Sequence, residues 1–297
     1  MPDRDAVTLA EVARGTAASR ELVAKAEDAA ARRGLRAARA RRRGLSLTLQ
    51  LITVLVLAAA WQAMAGAGWI NALFTSKPTA IVSAFYNGFA DGSFWSPLLT
   101  TLVETLAGFA ISVVLGVSMA LLSYWAPLFH EATRGLVTAA NNLPRLALAP
   151  LFVLWFGIGS ESRIALVVSL AFFVVLINTY AGLQNADRDH LLLARVLGAG
   201  RWKTFVTFIL PAATTTIFAG LRLALAFAFV GAVIGEIIMG GTGLGAQLVL
   251  FQNAYRTDDV MALLAVMAIV ATAMTALVDL LERRLLRWRE HEFRALG

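Results

Sequence analysis

The sequence contains no cysteine, and charged side chains make up only 15% of its 297 residues. Without cysteine there are no disulfides and no thiolate metal sites. The three histidines, His130, His190 and His291, are scattered in polar segments, which argues against a histidine metal site inside a membrane. Hydrophobic residues reach 59%, with a mean hydropathy of +0.71, whereas soluble domains use roughly 45–50% apolar residues. The composition predicts an integral membrane protein.

Six runs with few or no charges are long enough to cross a bilayer, which takes ~20 helical residues. They lie at about 45–66, 98–125, 135–156, 164–185, 213–239 and 260–278. No run alternates as a barrel strand would, so each is predicted to be a helix. The predicted fold class is an all-α membrane protein with six transmembrane helices.

Lysine and arginine are distributed unevenly between the loops. The first 44 residues hold eleven, residues 186–203 hold four, and the tail after 280 holds five. The segments expected on the other side hold only Lys77, Arg163 and Arg256. Because positive charge accumulates on the cytoplasmic side, both termini and the 124–134 and 186–212 loops are predicted to be cytoplasmic.

The predicted organisation has three parts: a basic cytoplasmic arm at 1–44, a six-span domain at 45–282, and a basic cytoplasmic tail at 283–297. The run "RRGLRAARARRR" stands directly before the first span. Nucleic-acid binding is the alternative for such a run, but this close to a span we interpret it as a topology signal on anionic lipid. The basic region is too long for a cleavable signal peptide.

A short helix is predicted between the first two spans. Pro78 suits a first helical turn, and Ile81, Phe85 and Phe89 follow at intervals of four residues. This spacing favours a helix lying along the outer membrane interface. A plain loop is the alternative.

The stretch "ARVLGAGRWKTFVTFILP", from Ala194 to Pro211, partly resembles a phosphate-binding loop. Such a loop requires a glycine immediately before its lysine, and Trp202 stands there. The cluster "GGTGLG" at 240–245 follows a predicted membrane helix instead of a strand, so it is not a dinucleotide-binding fingerprint. Neither motif is interpreted as a nucleotide site.

The loop at 186–212 has the pattern of two short helices. Leu191 to Leu197 form the first, and Gly198 and Gly200 break it. Trp202, Phe205, Val206 and Ile209 mark the apolar face of the second, which ends where Leu210 and Pro211 begin the next span. Exposed apolar and basic residues together indicate a surface that docks onto a partner.

This loop resembles that of permease subunits of ABC-type importers, in which E-A-A, three residues, glycine, nine residues and I-x-L-P follow one another. Ala194, Gly198, Leu210 and Pro211 match in register. The stretches "PTAIVSAF", "LAPLFVLWFGIG", "AFFVVLINTYAGL" and "GLGAQL" are similar to the nitrate/sulfonate/taurine/bicarbonate branch. The resemblance covers roughly residues 50–285. This chain departs from the pattern where Leu192 replaces the acid, Leu193 the first alanine and Phe208 the isoleucine.

The resemblance implies a mechanism of type I importers. Two copies would form the pore, two separate ABC ATPase subunits would bind ATP and Mg, and an external, periplasmic binding protein would deliver cargo across a bacterial inner membrane. The chain itself would hold no cofactor or metal, catalyse no reaction and bind no nucleic acid. The helix before Gly198 would be the coupling helix. The residues implied in coupling are Leu192, Leu193, Ala194, Arg195, Gly198, Ala199, Arg201 and Pro211.

Polar residues at membrane depth are candidates for contact with cargo, because a charge there costs at least ~2.5–3.5 kcal/mol. The candidates are Asn141, Asn142, Arg145, Asn178, Tyr180 and Glu236. Arg145 inside the third span suits an anion, with pairing inside the bundle as the alternative. Asn178 and Tyr180 also suit structural hydrogen bonds.

Other charged residues in the spans have different expected roles. Arg222 and Glu236 are fourteen positions apart, about 21 Å along a helix, so they cannot pair on it. Glu236 is assigned to an external gate and Glu104 to the interface.

The sequence thus predicts an importer subunit for a small anion of the sulfonate, taurine or nitrate type. A pyrimidine-type vitamin precursor or an aromatic acid is the alternative cargo. A self-sufficient secondary transporter is a weaker hypothesis, because no inverted repeat is visible. An intramembrane enzyme is disfavoured, since no span combines a nucleophile with histidine or paired carboxylates.

Overall fold

The computed structural model describes residues 45–285, apart from 47, 51, 186 and 187. The predicted arm at 1–44 and residues 286–297 of the predicted tail lie outside this part of the chain. Within it, all regular structure is helical, which confirms the predicted fold class.

The helices are numbered here in chain order. They are α1 (Thr48–Gly66), α2 (Pro78–Ala90), α3 (Trp95–Trp125), α4 (Pro127–Asn141), α5 (Ala149–Phe156), α6 (Ser160–Gln184), α7 (Arg188–Val196), α8 (Arg201–Met239), α9 (Leu244–Asn253) and α10 (Thr257–Leu285). A four-residue helix, Ala72–Thr75, precedes α2, and a 3-10 turn, Arg145–Leu148, leads into α5.

Five helices in the described residues, α1, α3, α6, α8 and α10, are long and apolar enough to cross a membrane. The sixth candidate is a broken span, because α4 and the segment Arg145–Phe156 meet at 83°. The expectation of one continuous helix over 135–156 was therefore wrong. Pro144 explains the break, since a residue before proline avoids the helical conformation and Pro144 itself has ψ 83°. Pro150 lies in the first turn of α5, where proline is tolerated.

The helix α1 belongs to a different compact unit from the helices that follow Asn71. Its 19 residues are apolar enough for a span. The hydroxyl of Thr53 donates to the Leu49 carbonyl at 2.9 Å, so this polar group is satisfied within the helix, as lipid requires.

Three helices, α3, α6 and α8, form the centre of the second unit. Buried alanines on α6 and α8 share a cluster with Val167 and Val175. A Cβ at Gly108 on α3 would overlap Val167, and one at Gly116 would overlap Val175. Small residues thus bring the helices into close contact. In lipid the hydrophobic effect does not drive helices together, and such close van der Waals packing takes its place. The paired contacts run in the same direction along α3 and α6, which are therefore parallel, and in opposite directions along α6 and α8, which are therefore antiparallel.

The predicted helix at Pro78 is confirmed as α2, thirteen residues long. Its apolar face, with Ile81, Phe85 and Phe89, packs against a core that includes Leu263 and Met267 of α10. Its position along an outer interface stays a prediction.

The helix α8 is longer than the sequence indicated. The second short loop helix does not end before Pro211, because 39 residues from Arg201 to Met239 form one helix. A wide π turn at Phe205–Ile209 ends two residues before Pro211, and such turns absorb the clash of a proline ring with the preceding carbonyls. At ~1.5 Å per residue α8 spans roughly 58 Å, well beyond the ~30 Å hydrocarbon core.

Candidate functional site

The turn after α7 is fixed by the backbone. Gly198 adopts φ +66°, its N–H donates to the Arg195 carbonyl at 3.0 Å, and the Ala199 N–H reaches back to the Ala194 carbonyl at 2.9 Å. These two bonds define a Schellman motif, which places a left-handed residue just after the helix and favours glycine there. The prediction that Gly198 breaks this helix is confirmed.

One side of α7 is anchored and the other is exposed. Ala194 is completely buried, and Leu191 packs against a core of Leu183, Phe205 and Ile209. The exposed apolar side chains, with their accessible fractions, are Leu192 (61%), Leu193 (49%), Val196 (79%) and Leu197 (70%). We call these four residues the apolar face of α7. An uncovered apolar face on an anchored helix is typical of a protein-binding surface.

Aromatic rings join the start of α8 to the end of α3. Trp202 stacks on Trp125 with ring centroids 6.2 Å apart, and Phe205 lies 5.2 Å from Trp125 and 5.7 Å from Tyr124. The Arg201 guanidinium lies 5.6 Å from the Trp125 ring, within cation–π range. We call Tyr124, Trp125, Trp202 and Phe205 the aromatic clasp; it connects the loop to two long helices.

The opposite end of these helices holds a buried ion pair. On α6, the Arg163 Nε lies 2.9 Å from both carboxylate oxygens of Glu104, and its Nη2 lies 2.6 Å from Oε1. Arg163 also donates to the Gly240 carbonyl at 2.9 Å, at the C-terminus of α8, where a cation is favoured. Arg163 was expected in an outer loop, which was wrong, since it lies on α6 with its side chain 5% exposed. The Glu104 side chain is 1% exposed, and its position at a membrane interface stays a prediction.

Glu236 holds the start of α9. Its carboxylate accepts 2.7 Å hydrogen bonds from the Thr101 hydroxyl and the Gly245 N–H, and Thr101 also accepts the Leu244 N–H at 2.9 Å. The first amides of a helix have no partner within it, and a carboxylate beside them is stabilised. A Cβ at Gly243 would overlap this carboxylate. Gly243 and Gly245 of the "GGTGLG" cluster therefore make room for Glu236, and a Cβ at Gly241 would overlap Arg163 instead.

Arg145 stands at the break of the third span. Its Nη2 donates to the Asn141 carbonyl at 2.7 Å and also to Asn141 Oδ1. Its Nη1 donates to the Leu170 carbonyl at 3.2 Å, and its guanidinium lies 4.8 Å from the Phe173 ring. Arg145 thus ties the end of α4 to the middle of α6, as in the bundle-pairing alternative.

The six candidate cargo residues are not all neighbours. Asn141 and Tyr180 line one pocket between α4 and α6. Arg145 does not line this pocket but donates to Asn141 Oδ1. Asn142 is exposed beside them. Asn178 packs against Gly220 and donates within its own helix to the Val174 carbonyl at 2.8 Å. Glu236 lies at the other end of the bundle.

Arg222 and Glu236 have separate partners, as their spacing predicted. Arg222 lies 2.5 Å from Asp279 and 2.5 Å from Glu282, both on α10. These half-exposed pairs connect α8 to α10.

The family profile described as "Binding-protein-dependent transport system inner membrane component" matches residues 112–290. The chain belongs to this family. It is therefore a membrane-embedded permease subunit of the ABC importer class, and the family resemblance found in the sequence is confirmed.

Curated relatives of this permease differ in the cargo that their names give. It is 30% identical to the riboflavin transport system permease RibX of Chloroflexus aurantiacus, over 82% of this chain and 90% of the relative. It is 32% identical to the formylaminopyrimidine transport permease ThiX of Halalkalibacterium halodurans, over 68% and 81%. It is 29% identical to the taurine transport system permease TauC of Escherichia coli, over 82% and 90%.

Among solved structures, the permease resembles a chain of an amino acid ABC transporter crystallised with histidines. The TM-score is 0.55 at 20% identity, covering 68% of this chain and 97% of the other. This likeness supports the fold of the type I importer permease.

In this permease sequence reasoning predicted the helix and the turn of the loop, while the coupling role of the loop residues stays a prediction. It missed the network of Thr101, Glu104 and Arg163. A signal did exist. Glu104, Arg163 and Glu236 all lie near those ends of their predicted spans that face the same side of the membrane, a coincidence of charges that suggests mutual contact.

Proposed function

We propose that this permease subunit conducts a small organic anion, of the sulfonate or taurine type, delivered by an external solute-binding protein. ATP hydrolysis takes place in separate ABC ATPase subunits that bind ATP and Mg. The pore lies between two copies of the chain. Both termini face the cytoplasm of a bacterial inner membrane, as the distribution of Lys and Arg indicates.

The observation that carries this proposal is the apolar face of α7, which supports docking of an ATPase. The helix ends in a left-handed turn at Gly198, a conformation that favours glycine. The face lies at one end of the 39-residue helix α8, and the aromatic clasp fixes that end to α3. A force applied to α7 therefore reaches α8 through the hydrogen-bonded turn at Gly198, and α3 through the aromatic clasp. This arrangement suits a lever moved by an ATPase that closes around its nucleotide.

The departure at Leu192 bears on how the ATPase is recognised. Where the resembling permeases have an acid, this chain has a side chain that is 61% exposed and apolar. Arg195 and Arg201 line a second pocket beside it, of about 370 Å³, together with Tyr124 and Trp125. We infer an apolar docking surface flanked by positive charge, which favours an ATPase groove with apolar walls and acidic edges.

A heteroaromatic cargo is the second candidate. Relatives named for riboflavin and formylaminopyrimidine transport support it, and so does the Tyr180 ring, which stacks on His130 at 4.3 Å in the pocket. Uptake of labelled taurine, benzoate and a formylaminopyrimidine by the same proteoliposomes separates the two candidates.

Co-purification tests the importer assignment. A tagged chain solubilised from its native host is expected to bring down an ABC ATPase. Liposomes are expected to need both proteins, the external solute-binding protein and ATP for uptake. Accumulation of cargo by this chain alone, with no ATPase in the pull-down, would contradict the proposal.

A pair of substitutions tests the docking surface itself. Val196→Asp places a charge on the apolar face of α7, which should reduce ATPase recovery about tenfold or more, because an uncompensated charge in an apolar contact is costly. Tyr255→Asp is the control, since Tyr255 is 74% exposed at the other end of the bundle. Equal recovery with both variants would contradict docking through α7.

A further inference from the structure

A pocket of about 330 Å³ lies between the ends of α3, α4 and α6. Its volume falls at the lower end of the range for small-molecule sites, roughly 300–1,000 Å³. Val137, Leu176, Ile177 and Ala181 supply apolar walls, and the stacked rings of His130 and Tyr180 also line it. A pocket of this kind suits a small solute with an apolar body.

The charge of the pocket is positive. Arg134 lines it, and its guanidinium makes no hydrogen bond or ion pair with any described residue. None of the described residues that line the pocket is acidic. No described acidic side chain lies within ion-pair distance of the Arg134 guanidinium, and the hydroxyls of Thr133 and Thr138 donate to carbonyls of α4.

Two further polar groups are left as donors because their acceptor atoms are occupied. Arg145 donates to Asn141 Oδ1, which leaves the Asn141 Nδ2 hydrogens available. Gln184 Nε2 donates to the Tyr180 hydroxyl at 2.6 Å, so the hydroxyl proton of Tyr180 remains available. A cation and two donors without a carboxylate form the pattern that recognises an anionic oxygen.

We propose that this pocket binds the carboxylate or sulfonate group of a small organic anion, with Arg134 as its counter-charge and Asn141 and Tyr180 as hydrogen-bond donors. The apolar walls and the Tyr180 ring hold the body of the solute. The proposal rests on the proposed function, since it gives the transported anion a binding site along the translocation path.

Binding to the purified full-length chain in nanodiscs of neutral phosphatidylcholine tests the site. Calorimetric titration with benzoate is compared with its neutral isostere benzamide, and ethanesulfonate serves as a second anion. Benzoate is expected to bind at least tenfold more tightly than benzamide, because a charge-assisted hydrogen bond contributes about tenfold to a hundredfold in affinity. Equal binding of the two would overturn the proposal without any mutation.

Variants locate the binding. Arg134→Gln should weaken benzoate binding at least tenfold while leaving benzamide unchanged, and Arg134→Lys should recover part of the loss. Lys203→Gln removes an exposed positive charge that does not line the pocket and should leave binding unchanged. Equal losses with Arg134→Gln and Lys203→Gln would overturn the assignment.

A lipid phosphate could satisfy the same donors, so the benzoate titration is repeated with phosphatidylglycerol in the nanodiscs. Unchanged affinity supports a soluble anion, and loss of benzoate binding would assign the pocket to a headgroup instead. ATP-driven uptake with the partner subunits is measured separately. If uptake is insensitive to Arg134→Gln, only the assignment of the pocket is contradicted. If the anion binds but no ATP-driven uptake occurs, the proposed function is contradicted.

Discussion

Arg163 and Glu104 form a buried bidentate ion pair that joins α6 to α3, with Nε 2.9 Å from both carboxylate oxygens. The Arg163 side chain is 5% exposed and that of Glu104 is 1% exposed. Arg163 also donates to the carbonyl of Gly240, the residue just after α8, so one side chain connects three long helices at the end opposite the loop.

Removing one partner of this pair should destabilise the permease strongly. Glu104→Gln leaves the buried Arg163 charge without its bidentate partner, and we expect a loss of about 3 kcal/mol or more in the free energy of unfolding. Thermal unfolding in detergent measures this. Glu104→Leu combined with Arg163→Met should recover much of the loss, because an apolar pair needs no compensation.

The exposed pair Arg256–Asp259, with Arg256 57% exposed, supplies the control. Arg256→Gln should cost less than about 1 kcal/mol, as is usual for surface pairs. If Glu104→Gln unfolds at the same temperature as Arg256→Gln, the buried pair does not stabilise the bundle.

Local patterns predicted the helices well, because hydropathy and glycine placement act within one segment. The helix α7 and its stop at Gly198 followed from apolar spacing and a single glycine. The ion pair did not follow, since Glu104 and Arg163 are 59 positions apart and neither has a local neighbour that reveals its partner.

Hydropathy also concealed the break of the third span. The run 135–156 is apolar except for Thr138, Arg145 and two asparagines, so a window over it indicates one helix. The local signal was Pro144, whose effect on the preceding residue outweighs hydropathy. Once the chain bends there, Arg145 reaches the Leu170 carbonyl of α6, whereas its contact with Asn141, four residues earlier, is one that a straight helix would also allow.

The glycines around Glu236 should tolerate no side chain. Gly243→Ala would place a methyl group on the Glu236 carboxylate, and a Cβ at Gly245 would overlap the Val233 carbonyl oxygen. Each is expected to cost about 1–3 kcal/mol, as overpacking does, measured as a lower unfolding temperature. Gly135→Ala on α4, where nothing lies within 4 Å of the added Cβ, should be neutral or slightly stabilising. If the alanine variants at Gly243, Gly245 and Gly135 unfold at similar temperatures, the backbone around Glu236 shifts to accommodate a side chain and the prediction is wrong.

Gly198 and Gly200 form a matched pair for testing the turn. Both have free space around an added Cβ, but Gly198 has φ +66° and Gly200 has φ −64°. Gly198→Leu should cost roughly 1–2 kcal/mol in the turn and abolish ATPase docking or ATP-driven uptake, with the chain still inserted. Gly200→Leu should retain both activities. ATPase recovery and uptake measure the difference, and normal uptake by Gly198→Leu would refute the lever assignment.

Arg145 is expected to act on the anion through Asn141 instead of binding it directly. Arg145→Met removes the donor that occupies Asn141 Oδ1, so the Asn141 amide can turn and present its oxygen to the pocket. We expect benzoate binding to weaken several-fold while the unfolding temperature falls by a few degrees and the ATPase still co-purifies. Arg145→Lys retains a side-chain donor, so its benzoate affinity should lie between that of the unchanged chain and that of Arg145→Met. The decisive measurement is Arg145→Met in an Asn141→Ala background, where no amide is left to orient: the further loss of benzoate affinity should vanish. If it persists, Arg145 contributes its charge to the anion directly, and its role in positioning Asn141 is wrong.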